Sequence, residues 1–172
     1  ARQVLGYENP RIALLSNGEE DIKGNQLVKD AHVLLKDSPM NFIGNVEPKE
    51  VFQGTADVVV ADGFVGNIFI KTGEAIGKFI KDFLSKEIKK SLWLSLGGLI
   101  VRPAFRSLFT LMDPAEVGAG LLMGVDGYVF VGHGRSDARA LVSALSLAQR
   151  AVKANLLPEL KEFLVKEMHL NK

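Results

Sequence analysis

Cysteine is absent from the 172 residues, which excludes disulfides, thiolate nucleophiles and cysteine-ligated zinc, and suits a reducing cytoplasm. Histidine is scarce: His32, His133 and His169 stand at no metal-ligand spacing, so no structural metal is expected. An excess of either charge is missing too, since 21 Lys plus Arg oppose 20 Asp plus Glu for a net +1. No global field therefore recruits nucleic acid, and a charge-seeking partner must meet a local patch. No stretch reaches the ~18 uninterrupted apolar residues of a membrane span. The nearest, LWLSLGGLIV at 92–101, ends at Arg102-Pro103. The opening ARQVLGYENP lacks the basic-then-apolar order of a secretory signal, and the chain begins at Ala1 rather than methionine, as an excised piece of a longer protein would.

What is present is an ordinary globular composition, 47% hydrophobic and 24% charged, enough for one good core with room for two small lobes. After a short opening helix, RIALLS (11–16) reads as a strand. GNQLVKDAHVLLKD reads as a helix, with Leu27, Ala31, Leu34 and Leu35 at helical spacing. MNFIGNV (40–46) is a second strand. ADVVVAD (56–62) is a third, whose valines predict burial on both faces. A long helix is expected from Gly66 to Lys90, followed by the apolar segment 91–112 and a glycine-rich loop over 113–127. YVFVGHG (128–134) completes the strands, SDARALVSALSLAQRAVKANL opens a helix capped by Ser136 or Asp137, and LPELKEFLVKEM forms a last amphipathic helix. Strands alternating with helices predict an α/β fold: a mostly parallel sheet with helices on both faces.

In such sheets ligands bind beyond the carboxyl ends of the strands, which singles out three loops, 17–25, 62–67 and 132–139. In DGFVGNIFIK, Gly63 and Gly66 would allow backbone conformations closed to other residues and let a ligand approach the main chain. The helix that starts there offers unpaired N–H groups to an anion. Asn67 and Lys71, four residues apart, share one face and could both reach a phosphate or carbonyl oxygen. The competing reading is a tight turn with Lys71 paired to Glu74. GHGRSDAR repeats the arrangement, with Gly134, Ser136, Arg135 and Arg139 as anion ligands or, equally, a capped helix with surface arginines and His133 hydrogen-bonded at a strand end. SNGEEDIKGN could hold a divalent cation, but Lys23 in its middle argues against that, so Glu19, Lys23 and Asn25 are taken as cleft-wall residues. No G-x-S-x-G, H-E-x-x-H or P-loop pattern occurs, which leaves triad hydrolases, zincins and nucleoside triphosphatases without a motif.

Taken together, LLSNGEEDIKGN, NFIGNVE, ADVVVADGFVGNIFIKTGE, EVGAGLLMGVDG and VFVGHGRSDARA resemble, in order and spacing over nearly all of residues 4–155, the carboxyl-terminal half of the PlsX family of phosphate acyltransferases of bacterial phospholipid synthesis. The resemblance makes the whole chain, 1–172, the carboxyl-terminal portion of such an enzyme. It implies that a fatty acyl group passes from acyl carrier protein to inorganic phosphate. It also implies a fold similar to isocitrate and isopropylmalate dehydrogenases and to phosphate acetyltransferase, a homodimer, and a cytoplasmic protein peripherally attached to membranes. The family's amino-terminal half, with its Asp- and Gly-rich opening motif, is not in this chain. Small or polar residues are the family's expectation where Arg135 and Asp137 stand.

Phosphate is already a nucleophile and a thiolate leaves readily, so positioning and charge stabilisation suffice, with no cofactor, metal or covalent nucleophile required. On this reading Lys71, Ser136 and Arg139 take the phosphate, with Gly63, Gly66 and Gly134 letting it approach. Asn67 or His133 steadies the oxyanion, and Asp62 orients a cation in its loop. Two other classes stay open: a phosphate acetyl- or butyryltransferase using coenzyme A, and a non-catalytic membrane-surface or partner-binding module. A decarboxylating dehydrogenase of similar fold would need an adenine-binding loop that the sequence does not contain.

Residues 86–112 are read as an amphipathic helical hairpin. Leu92, Leu96, Leu99 and Ile100 form one apolar stripe, and Arg102-Pro103 is expected to turn the chain. Phe105, Leu108, Phe109 and Met112 form a second stripe on a second short helix. Lys86, Lys89, Lys90, Arg102 and Arg106 against Glu87, together with Trp93, suit an anionic membrane interface. Ordinary core or a dimer contact is the alternative fate of such stripes.

Overall fold

The computed structural model describes residues 1–134 and 136–168; Arg135 and His169, both considered above, lie outside the described residues. Two compact units divide the chain between Lys71 and Thr72. In the first, a one-turn helix α1 (Arg2–Leu5) precedes strand β1 (Ile12–Leu15), helix α2 (Gln26–Lys36), strand β2 (Phe42–Val46), helix α3 (Pro48–Gln53) and strand β3 (Val58–Val60). Helix α4 (Gly63–Ile88) begins in this unit and ends in the next. The sheet has the order β2-β1-β3 with both pairings parallel. Central β1 therefore carries the core, with Ala13, Leu14 and Leu15 buried beside Val46 of β2.

The valines of β3 are not buried on both faces. Val58 and Val59 are half-buried and Val60 is exposed, because β3 is an edge strand of this sheet. The buried stripe of α2 also differs from the leucine pattern. His32 is 5% exposed whereas Leu34 is 74% exposed, since the ring is held by polar partners and faces β2, with Phe42 edge-on at 5.1 Å between centroids. Helix α3 was not anticipated. It is built locally by Glu47 and Glu50 in a reciprocal capping box with Pro48 in the first turn, and Gly54 (φ 72°) closes it.

The second unit holds the rest of α4, helix α5 (Leu92–Leu111), a 3-10 turn at Pro114–Glu116, strands β4 (Ala119–Leu121) and β5 (Phe130–Gly132), and helices α6 (Ala138–Lys153) and α7 (Leu156–Met168). β4 and β5 form an antiparallel pair. The fourth strand expected in a parallel sheet is thus one arm of a separate ribbon, and its partner lies inside the segment read as loop. Gly118 (φ 79°) brings this ribbon against α6. A Cβ there would stand 2.2 Å from the Ala140 carbonyl oxygen, so only glycine permits the approach.

α4 begins at Gly63, three residues before the expected start. α5 runs through Pro103 instead of breaking into two short helices. Proline removes one amide from the ladder, but the helix on both sides is tied to α4. Ser95 Oγ donates to the Ile88 carbonyl at 3.0 Å, Gly98 lies against the Ile88 side chain, Lys81 sits 5.9 Å above the Phe109 ring, and Gly77 packs on Met112. Among the described residues no helix is long and apolar enough to cross a membrane.

Candidate functional site

Parallel strands end on one edge, so the first unit presents three of its segments together: residues 16–25 after β1, Glu47 and α3 after β2, and Asp62 with the start of α4 after β3. The loop 16–25 is tied down from several sides. Gly24 N–H donates to Asn17 Oδ1 at 3.0 Å, Asn45 Nδ2 of β2 donates to the Glu20 carbonyl at 2.9 Å, and Lys36 of α2 pairs with Asp21 at 3.0 Å. Lys49 of α3 bridges Glu19 at 3.0 Å and Glu47 at 2.9 Å. Its ammonium is held well above the usual lysine range, first by the Glu47 hydrogen bond and then by Glu19. Glu47 and Lys49 escaped sequence reasoning because nothing in EPKEVFQ announces a helix-borne bridge to a loop about thirty residues earlier.

Of the residues expected in this loop, Glu19 is thus an ion-pair partner and Asn25 caps α2, accepting from the Val28 N–H at 3.0 Å. Lys23 is exposed and lays its stem against Gly18. Gly24 (φ 91°) needs the left-handed half of backbone space, and a Cβ there would meet Val28 at 2.6 Å. One further group was missed: Ser16 is buried at the end of β1, with a hydroxyl that has no hydrogen-bond partner among the described residues.

At the start of α4, Asp62 Oδ1 accepts from the N–H groups of Phe64 and Val65, both at 2.9 Å. The carboxylate therefore occupies two first-turn amides that an anion would otherwise use. Gly63 and Gly66 do not supply unusual backbone: neither has a positive φ. A Cβ at Gly63 would meet nothing within 4 Å, and one at Gly66 would make ordinary contact with Ala61 at 3.4 Å. Asn67 and Lys71 project from exposed positions of the same face, and neither has a side-chain hydrogen bond or ion pair among the described residues of its unit.

The loop 132–139 of the second unit is more self-contained. Ser136 Oγ donates to the His133 carbonyl at 2.7 Å, and Asp137 caps α6 by accepting from the Ala140 N–H at 2.8 Å. Arg139 is enclosed by acids, pairing with Asp113 and, at 3.3 Å, with Glu116. That lifts the guanidinium further above its ordinary range, chiefly through the Asp113 hydrogen bond. Asp113 is correspondingly lowered, first by the Ala115 N–H and then by Arg139. His133 Nε2 faces Glu74 of α4 at 3.7 Å. Gly134 has open space around it. The cap at Asp137 was legible in the sequence; the capping role of Asn25, expected only as a cleft-wall residue, was not, nor were the acids around Arg139, lying 23 and 26 residues away.

On α5, Leu92, Trp93, Leu96 and Leu99 are exposed, Trp93 by 83%. Phe105 and Phe109 are half-buried and stacked, with centroids 6.3 Å apart, and so present less apolar surface than the first turns do. Among the described residues no group of three or more His, Asp and Glu is placed to hold a metal ion.

The profile of the fatty acid synthesis protein family matches residues 1–158. The phosphate acyltransferase of Dictyoglomus turgidum is 48% identical over 165 residues, 95% of this chain and 49% of that protein. That of Syntrophotalea carbinolica is 46% identical over 156 residues, 91% and 45% of the two. That of Halothermothrix orenii is 40% identical over 169 residues, 97% and 51%. The chain spans about half the length of the curated relatives it matches.

Proposed function

The chain belongs to the fatty acid synthesis protein family, and from that premise we propose that it is the carboxyl-terminal part of an enzyme that transfers a fatty acyl group from acyl carrier protein to inorganic phosphate. A phosphate oxygen attacks the thioester carbonyl carbon, the carbon–sulfur bond breaks, and the carrier leaves as a thiolate that takes up a proton. Acyl phosphate for phospholipid synthesis is the product. The fold as a whole is then that of the isocitrate and isopropylmalate dehydrogenase group and of phosphate acetyltransferase, and the working form is a cytoplasmic homodimer.

What supports this reading is the sheet edge of the first unit, where polar groups remain without partners. Asn67 and Lys71 are uncommitted within their unit, Ser16 holds a buried hydroxyl in reserve, and α2 starts behind the neutral cap Asn25. Phosphate belongs with Lys71 and this edge, with Gly63 and Gly66 leaving room for it. Asn67 steadies the oxyanion. Ser136 and Arg139 are support for the second loop rather than first ligands, because their polar atoms are already engaged. Kinetics of the full-length protein test the assignment. Acyl phosphate should form only with inorganic phosphate present, and Lys71→Ala should raise the phosphate KM about tenfold or more, for loss of one charge-assisted contact. Unchanged phosphate dependence in both Lys71→Ala and Asn67→Ala would remove it, and turnover of acyl-coenzyme A in preference to acyl carrier protein would move the enzyme to the neighbouring class.

The exposed start of α5 is proposed as the surface that meets an anionic membrane and hands over the lipid-like product, with Leu92, Trp93, Leu96 and Leu99 inserting and Lys86, Lys89 and Lys90 near the headgroups. The protein should sediment with anionic vesicles, salt should weaken the binding, and Leu99→Glu should release it with soluble activity retained. Equal sedimentation of wild type and Leu99→Glu would assign this face to a protein contact instead.

A further inference from the structure

The buried histidine of the first unit holds a proton inventory that neither its position nor the proposed reaction requires. Asn45 Nδ2 donates to the Glu20 carbonyl at 2.9 Å, and because a carbonyl can only accept, the amide is fixed with Oδ1 toward His32. Nδ1 of His32 lies 3.2 Å from that oxygen and must carry a hydrogen to bond to it. On the other side of the ring, Nε2 lies 3.5 Å from Asp21 Oδ1, an acceptor as well. A neutral imidazole spends its one N–H on Asn45; only the imidazolium also turns a charged N–H toward the carboxylate, at ion-pair rather than hydrogen-bond distance.

The charged groups recorded about the ring come from two elements. The loop supplies the Asp21 carboxylate, and α2 supplies Lys36, whose ammonium grips the same carboxylate at 3.0 Å. β2 adds no charge, only Asn45 and the Phe42 edge. The Asp21 carboxyl is held below its ordinary range, by Lys36 first and by His32 after it, as expected of a carboxylate gripped from both sides.

We propose that His32 is a proton-dependent clamp on loop 16–25: doubly protonated, it binds Asp21 of the loop and Asn45 of β2 at once, and on losing a proton it releases the Asp21 side. The loop that carries Glu19, Lys23 and Asn25 is then ordered by proton uptake, tightening as pH falls and loosening as it rises. His32 touches no reacting atom; it is a positioning residue. The clamp is a property of the first unit's own hydrogen bonds, so it stands or falls separately from the acyl-transfer reading.

Amide hydrogen exchange on the intact protein reads the clamp directly, because the Lys23 and Gly24 N–H groups bond inside the loop, to the Glu20 carbonyl and to Asn17 Oδ1. Protection factors at these amides, corrected for intrinsic exchange, should fall on the order of tenfold between about pH 5.5 and about pH 8, while ring 15N shifts pass from two N–H groups to one. In Asp21→Asn the exposed side chain becomes an amide able to donate to an unprotonated Nε2, so the fall should shrink below about twofold with the loop still protected. Equal wild-type protection at both pH values would overturn the clamp. So would an undiminished fall in Asp21→Asn, or a ring with a single N–H while the loop stays protected.

Discussion

Helix α2 starts behind an amide and helix α6 behind a carboxylate. Both caps accept one first-turn N–H, Asn25 from Val28 and Asp137 from Ala140, so both stabilise their helices to a similar degree. They leave opposite surroundings for a ligand. The carboxylate of Asp137 offsets the positive end of α6, as Asp62 does at α4, and the one guanidinium of the α6 first turn is spent on Asp113 and Glu116. The neutral cap leaves the positive end of α2 uncompensated. A glycine-rich loop in front of a helix is therefore not enough to mark an anion site; what the cap carries decides whether the helix end is still free to attract one.

The glycines of the two loops give the largest contrast to test. Gly24→Ala should cost about 2 kcal/mol or more, combining a positive φ with overlap on Val28, whereas Gly134→Ala should stay within about 0.5 kcal/mol. Urea unfolding of both variants measures this, and equal losses would erase the distinction between a built loop and an open one. The caps come next. Asn25→Asp should leave stability within about 0.5 kcal/mol yet weaken phosphate in steady-state kinetics by on the order of tenfold, while Asp137→Asn leaves the phosphate KM within about twofold. A reversed order would place the anion at the second loop.

The smallest effect separates two ion pairs. Asp57 is held down to about 2, mainly by the side chain and backbone N–H of Arg11, whereas the first cause at Asp113 is the Ala115 N–H, ahead of Arg139. A carboxyl lowered in the folded state contributes stability above its ordinary range and loses it as pH falls through the folded value. Arg11→Met should accordingly flatten the acid limb of the stability curve between about pH 4 and pH 2. A backbone N–H bond survives in both variants, but the side chain is the first cause at Asp57 and only the second at Asp113, so Arg139→Met should change that limb less. Thermal melts across this range compare them.

Much of the frame was readable because its signals are local. The apolar run 11–16 and the stretch 26–36 follow strand and helix periods and became β1 and α2, and Asp137 stood where a cap belongs. What could not be read depends on distant partners. The three residues of β4, Ala-Gly-Leu, carry no strand signal of their own and are held by pairing with β5. Helix α5 passes Pro103 because α4 holds it on both sides. Leu34 keeps the helical spacing of a core residue and yet lies exposed, while His32 beside it is buried by partners on β2 and in a loop. The same holds at the candidate site. Asn67 and Lys71 could be picked out by spacing, but that Asp62 would sit on its own helix and that acids would surround Arg139 follows from three-dimensional contacts alone.

The Arg11–Asp57 contact has a consequence for how the chain is made. Arg11 precedes β1 and Asp57 precedes β3, and the pair is joined three times, through the Arg11 N–H at 2.8 Å, Nε at 3.0 Å and Nη2 at 2.9 Å, with Nη2 also reaching the Gly54 carbonyl at 2.8 Å. Such a fork fits one alignment of the strands, Ile12 opposite Val58, and a slip by one residue would turn every side chain of β3 to the wrong face. During synthesis, β1 can pair with β2 as soon as residue 46 has emerged, but its other edge stays open until residue 57 follows. In that interval the most deeply buried strand of this sheet is exposed along one side to any passing segment. Arg11 is already in place as a charged selector, which accepts the segment that brings a carboxylate to the right position and disfavours those that do not.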